Sequence, residues 1–464
     1  MVAGIALIPA TDEDSKQPDK IRKRVEHHLK PLVDYAEDTI IDYVGAAICH
    51  DAQHKAKKSD LGCCGPSCEI RRIPVKFRAA CRINRRTSLF IGGTGGMRKL
   101  ETGHRSRLHK GIEDFLVNPR RFLRMKYHTI PGIAEGIYGW VAANYAASTE
   151  DTDAKFGTNP IKGYVEMGGQ TMQIALSCGT VPNQALRGDG FRDITIGSNK
   201  YNVFAHEWGD RGADAQWRRH LLNLYGVPNP ADKIAKERLN PLVKDGCLPD
   251  GAWDPNYPNG YSGSGEFDEC VKECKKLVAC GDECAQAHGC LMQTVRQDVR
   301  TKVAGVKAWV GGATFWYGAR GVFADPDTGS EYQPIRLMHE ANWVHKMFEQ
   351  RRNVMPGGNQ THAWRSVFNA VYTTVTLHKG FGIRLEQGSG GDASTDIDLS
   401  AEQKLAGEMV TELEEFTTTD NDDHTSTYTI VDPDKQPWAL GAALIQVHDP
   451  NCIQDLLERY KPSL

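Results

Sequence analysis

Residues 164–176 read YVEMGGQTMQIAL: an apolar run with an acid near its end, two adjacent glycines, then an amide and a hydroxyl before the chain turns apolar again. Tandem glycines let a backbone turn sharply and bring its N–H groups close to an anion, usually phosphate. The neighbouring carboxylate, Glu166, suits a hard cation or its water shell. The simpler alternative is a hairpin turn with an exposed Glu, because short Gly-rich matches are common. Three more stretches raise the same question. GGTGGMRKLE (92–101) is a strand end, a Gly turn and a helix start with Arg98 one turn in, or else only a tight strand-to-helix connection. GIAEGIYGWVAANY (132–145) puts Glu135 in the first turn of a helix, where a carboxylate suits the macrodipole with or without chemistry. PWALGAAL (437–444) reads as a core helix with Trp438 at its start.

The elements that must hold these groups alternate in type. Residues 20–55 have helical spacing of Ile21, Val25, Leu29, Leu32 and Val33, and a Cys-, Gly- and Arg/Lys-rich stretch follows over 56–87. SLFIGG (88–93) is a buried strand, and 132–148 is a helix with Ile133, Ile137, Trp140 and Val141 on one face. DITIGSNKYNVFAHEW (193–208) reads as paired strands, and 308–323 and 364–382 carry a further strand–helix pattern. Residues 228–300, rich in Pro, Gly and Cys, read as an insertion; 386–396 and 417–426 read as loops. This alternation implies an α/β architecture.

At 464 residues the chain is long enough for two or more domains. Lys+Arg total 56 against 59 Asp+Glu, a near-neutral balance that argues against a binder of nucleic-acid polymers. No stretch approaches the roughly 18 apolar residues of a membrane span. The N-terminus MVAGIALIPATDEDSKQ lacks the basic and apolar regions of a signal peptide. Thirteen cysteines favour an oxidising compartment. Cys270, Cys274, Cys280, Cys284 and Cys290 include i, i+4 pairs that could staple two helices into a hairpin; zinc is the rival, but its C-x2-C spacing is missing. Cys63, Cys64 and Cys68 form a second cluster, and Asn359-Gln360-Thr361 is a lone sequon.

Taken in order, these motifs resemble those of the apyrase family, the nucleoside triphosphate diphosphohydrolases. Gly93-Thr94-Gly95-Gly96-Met97-Arg98 is similar to A-T-A-G-M-R. Ala134-Glu135-Gly136-Ile137-Tyr138-Gly139-Trp140, with Asn144-Tyr145, is similar to E-E-G-x-Y-G-W-x-x-x-N-Y. Glu166 to Ile174 resembles D-L-G-G-A-S-T-Q-I, and Trp438-Ala439-Leu440-Gly441 resembles W-x-L-G. YNVFAHEWGDRGADA (201–215) looks like Y-x-V-x-x-H-S-F-L-G-x-G-x-x-x-A, and LHKGFG (377–382) like L-L-x-x-G-F-G. The likeness spans about residues 88–444. Among its departures, Glu166 stands for Asp, Gln170 for a small residue, Thr171 for Ser, and Ala134 for the first Glu of the pair. The family's first phosphate loop, D-A-G-S-S-G-[TS]-R, is not found. PLVDYAED (31–38) resembles the segment after it, so the chain is expected to begin just past that loop.

The resemblance implies a two-lobed actin-like (RNase H-like) fold, each lobe a mixed five-stranded sheet flanked by helices, with nucleotide in the cleft between lobes. The first lobe would take 1–131 and 436–464, the second 132–435. It implies metal-dependent hydrolysis of nucleoside tri- or diphosphates, with release of orthophosphate. Glu135 would orient and deprotonate the water, helped by Thr171 and Gln173 with Thr94 close by, and Arg98 would join the catalytic set. Gly168, Gly169, Gln170, Gly95 and Gly96 would hold phosphate. Glu166 would bind Mg2+ or Ca2+ beside Trp438, and Tyr317 and Tyr372 are options for base contact or else core. By the same resemblance the setting would be the secretory pathway: Golgi lumen, cell surface or outside the cell. The alternatives are a degenerate member that binds a nucleotide or a protein without turnover, and a sugar or acetate kinase of the same superfamily, which gives no reason for the E-G-x-Y-G-W helix.

Overall fold

The structure is a computed structural model that describes residues 23, 27, 29–30, 88–117, 124–146, 161–180, 190–196, 199–225, 244–250, 262–279, 291–322, 341, 365–383, 427–430, 441–442 and 445. The segment 31–38, Cys63, Cys64, Cys68, Cys280, Cys284, Cys290, the sequon, Trp438 and both expected loops lie outside the described residues. The chain divides into two compact units, Met1–Pro131 with Leu457–Leu464, and Gly132–Leu456.

In the first unit β1 (Ser88–Gly93) pairs in parallel with β2 (Arg124–Thr129), in register from Ser88↔Arg124 to Gly93↔Thr129. Parallel neighbours need a crossover. The Gly turn supplies its start as a one-turn helix α1 (Gly95–Arg98), and α2 (Thr102–Val117) supplies its length. Met97, Ile112 and Tyr127 pack with Leu29 into a small core.

The second unit is built on a six-stranded mixed sheet, ordered β10-β9-β3-β4-β6-β5. Its strands are β3 (Gly163–Met167), β4 (Met172–Thr180), β5 (Phe191–Ile196), β6 (Asn199–Trp208), β9 (Ala308–Ala313) and β10 (Thr427–Ile430). The run β10-β9-β3-β4-β6 is the five-stranded mixed set that was expected, and β5 adds an antiparallel edge. A separate short pair joins β7 (Lys244–Asp250) to β8 (Ser262–Gly263).

Side chains alternate across a strand, so the sheet has two faces of different chemistry. Val165, Met167, Met172, Ile174, Leu176, Phe204 and Trp208 belong to one large buried cluster. That cluster also takes Trp217 and Leu221 of α4 (Ala213–Tyr225), Phe315 of α7 (Thr314–Val322) and Phe368, Val371 and Tyr372 of α8 (Ser366–Val375). The Cys-rich stretch is part of this core: α5 (Phe267–Val278) and α6 (Gln297–Ala304) bury Val271, Leu277, Val299 and Val303 in it. Cys270 forms a disulfide with Cys247 of β7, not with a cysteine further along its own segment. The expected helix-to-helix staple is corrected accordingly at Cys270. Cys274, one turn on and buried, remains a thiol, pushed well above the usual thiol range by burial and by Asp245.

The opposite face carries Tyr164, Glu166, Gln173, Ala205 and Glu207, and α3 (Gly132–Ala146) lies on it. Glycines at spacings of four and three let that helix approach closely. A Cβ would stand 2.0 Å from the Glu207 side chain at Gly132, 3.4 Å from Gln173 Cβ at Gly136 and 2.0 Å from the Tyr164 ring at Gly139. The far end of α3 is tied down by Asn144, whose amide donates to the Lys162 carbonyl at 3.1 Å and accepts from the Lys162 N–H at 2.8 Å. Gly441 also packs on α3, where a Cβ would stand 1.8 Å from the Tyr138 carbonyl oxygen. Ile137, Trp140 and Val141 are fully buried, as the spacing predicts, and the half-buried Ile133 is not.

Candidate active site

The close seating of α3 brings Glu135 onto the sheet. Gln173 Nε2 donates to Glu135 Oε2 at 3.2 Å and to Thr171 Oγ1 at 2.9 Å. All three side chains are buried; Glu135 is 5% exposed and Gln173 1%. An amide bridging a carboxylate and a hydroxyl fixes both orientations, and burial keeps those bonds strong. Glu166 is the cross-strand partner of Gln173, so the two lie side by side on the same face. It is 8% exposed and accepts a hydrogen bond from Tyr164 Oη at 3.1 Å. The hairpin alternative is therefore right about the turn and wrong about the Glu, which is buried.

Burying two carboxylates is costly unless charge or hydrogen bonds compensate. Tyr164 donates to Glu166 and Gln173 to Glu135. A set of carboxylate, hydroxyl and amide oxygens is the kind a hard divalent cation takes, so the residues present fit such an ion.

The Gly-Gly-Gln turn is held by the start of α4. Gly212 N–H donates to the Gln170 carbonyl at 3.1 Å, Ala213 N–H to Gly168 at 2.9 Å and Ala215 N–H to Gly169 at 2.9 Å. In a trans peptide the N–H points opposite to the C=O. The N–H groups of Gly169 and Gln170, trans to the Gly168 and Gly169 carbonyls, therefore point away from the α4 donors that those carbonyls accept. Gly168 differs: its N–H closes the hairpin on the Thr171 carbonyl at 2.9 Å. Of the expected phosphate donors, Gly168 already spends its N–H in this way. Gly169 has a steric reason to lack a side chain, since a Cβ would stand 2.3 Å from Asp214 Oδ2. Asp214 is paired with Arg365 at 2.8 Å. The Gln170 side chain bonds to Asp210 at 3.3 Å and Arg218 at 2.7 Å, leaving its backbone as the part to offer.

In the first unit, the Thr94 carbonyl accepts the N–H groups of Met97 and Arg98, at 2.9 and 3.2 Å. Arg98 Nη1 donates to the Ile130 carbonyl at 2.5 Å, fastening α1 to the end of β2. Gly95 is buried; Gly96 is exposed, with no described atom within 4 Å of where its Cβ would be. Of the two tyrosines, Tyr317 is 51% exposed. Tyr372 is core: fully buried, stacked on Phe368 and donating to the Arg211 carbonyl at 3.0 Å, which removes it from base contact. Tyr164, Glu207 and the Gly441 contact were not anticipated; the alternation of β3 and β6 is the only signal that marks the first two as facing α3.

Against known proteins, the chain matches the GDA1/CD39 (nucleoside phosphatase) family over residues 80–456. It belongs to that family. It is 26% identical over 401 residues to a Golgi apyrase of Saccharomyces cerevisiae (strain ATCC 204508 / S288c), covering 81% of this chain and 55% of the relative. It is 26% identical over 337 residues to probable apyrase 3 of Arabidopsis thaliana, covering 68% and 64%. With the nucleoside-triphosphatase ntp-1 of Caenorhabditis elegans it shares 24% over 317 residues, covering 64% and 53%. The chain thus spans between about half and two thirds of the length of these curated relatives.

Proposed function

We propose that this chain hydrolyses nucleoside di- and triphosphates, releasing orthophosphate, with Mg2+ or Ca2+ as cofactor. The observation that carries the reading is the buried amide bridge from Gln173 to Glu135 and Thr171, beside Glu166, in a member of a nucleoside phosphatase family. Phosphoanhydride hydrolysis needs a positioned water, a base for its proton and positive or donor groups on the phosphoryl oxygens. Glu135 would take the proton from the water, and Gln173 would keep its carboxylate aimed while Thr171 holds the water from the second side. The N–H groups of Gly169 and Gln170 would receive the terminal phosphate oxygens. Glu166, oriented by Tyr164, would hold the divalent cation, whose charge offsets that of the phosphates. Thr94 and Arg98 keep their proposed catalytic parts, and Tyr317 remains the option for the base. The relative named a Golgi apyrase and the Cys247–Cys270 disulfide support a setting in the secretory pathway.

The test is phosphate release from a panel of nucleoside di- and triphosphates with Mg2+, with Ca2+ and with EDTA. Metal-dependent release that EDTA abolishes is expected. Absence of release with every metal and nucleotide, at protein concentrations where the chain is folded, contradicts the reading.

A further inference from the structure

Three strands carry a row of polar side chains across the α3 face: Glu166 on β3, Gln173 on β4 and Glu207 on β6, in register as Glu166↔Gln173 and Gln173↔Glu207. The first two have parts in the proposed hydrolysis and Glu207 has none. It is half-buried, and it stands where the family pattern H-S-F has a Ser. Its carboxylate lies against the first residue of α3: a Cβ on Gly132 would be 2.0 Å from Glu207 Cδ and 2.1 and 2.5 Å from its two oxygens. The first N–H groups of a helix have no acceptor within it, and negative charge is favoured there. Gly132 and Glu135 are three apart, so they share a face of that first turn.

We infer that Glu207 is a positioning residue for Glu135: its carboxylate, admitted by the bare Cα of Gly132, fixes the first turn of α3 on β6 so that Glu135 meets Gln173. The inference rests on the proposed hydrolysis. Glu135 is then held from two sides, by the Gln173 amide at its carboxylate and by Glu207 beneath its own helical turn. The contact can be broken from either end. Glu207→Ala removes the carboxylate. Gly132→Ala displaces it, because the atoms a Cβ would meet are the mobile end of the Glu207 side chain rather than backbone.

The experiment measures kcat and KM for a nucleoside diphosphate with Mg2+ in the parent, both single variants and the double variant, with thermal melting as the check on folding. Each single variant is expected to lose between about tenfold and about a hundredfold in kcat, the scale on which a small misplacement of a catalytic group acts. KM should stay within about twofold, since the phosphate-binding turn is untouched. The double variant should be no slower than the slower single one, because both break the same contact. Parental kcat in Glu207→Ala, or losses that multiply in the double variant, would overturn the inference and leave the proposed hydrolysis standing. A parent with no turnover would sink the hydrolysis reading and this one with it. Should Glu207→Ala melt far below the parent, Gly132→Ala alone decides by the same kcat and KM criteria.

Discussion

Gln173 is the residue on which the site turns, since one amide nitrogen reaches both Glu135 and Thr171. Replacing it with Ala removes the bridge between the carboxylate and the hydroxyl. Gln173→Ala should lower kcat by about a hundredfold or more, the usual scale of general acid–base assistance, while nucleotide affinity measured by calorimetry stays close to that of the parent. At this scale the sequence was largely legible: Glu135, Glu166, Thr171 and Gln173 stand out because each sits at a fixed place in a Gly-marked motif. Two kinds of information were missing. Which amides of the Gly-Gly-Gln turn point away from α4 depends on where the carbonyls go, and those are committed to the start of α4, some 40 residues on. Glu207 gains its place only through cross-strand register with Gln173, which no local spacing encodes.

The element that organises the site is α3. Its Gly132, Gly136 and Gly139 are spaced so that the helix rests on β6, β4 and β3 in turn. Gly139→Ala should therefore cost more than its helix propensity suggests. Its Cβ would stand 2.0 Å from the ring of a Tyr164 that is packed in the core and bonded to Glu166. A loss of about 1–3 kcal/mol, the range for overpacking, is expected in urea melts, against the gain that Gly to Ala gives in an open helix. The strands and helices themselves were readable from periodicity, as for β1, α3, the β5–β6 pair and α8. The cysteine pairing was not. Cys270 lies on the helix face expected of it, but its partner Cys247 comes from a strand 23 residues away in sequence. Closing a loop of that length restricts the unfolded chain, so the double substitution Cys247→Ser/Cys270→Ser should lower stability by about 3 kcal/mol, seen as an earlier denaturant midpoint.

Across the whole molecule, the second unit buries its apolar sheet face under α4 to α8 and keeps its polar face for α3 and the site. The α/β alternation was legible in the sequence, whereas the place of β5 at the edge of the sheet and the contact of Gly441 on Tyr138 required tertiary packing to be seen. No helix among the described residues is long and apolar enough to cross a membrane. Stability should depend on pH through His206, edge-on to Trp208 at 4.5 Å, where burial holds its pKa below the ordinary imidazole value. The unfolded chain then takes up this proton first as pH falls. The contribution is complete above the unfolded pKa of about 6.5 and is lost as pH drops toward the folded value. Melting temperature should fall between pH 7.5 and 5.5, and His206→Phe should flatten that fall. An equal slope in the variant would assign the pH dependence to other groups.

The central claim is that Glu135 activates water in a site whose remaining parts bind the nucleotide. The most direct test is Glu135→Gln, an isosteric change that keeps the side chain within reach of Gln173 and removes its capacity as a base. Phosphate release is expected to disappear from the variant while calorimetry shows the metal–nucleotide complex binding as it does to the parent. Hydrolysis by the variant at the parental rate would contradict the account.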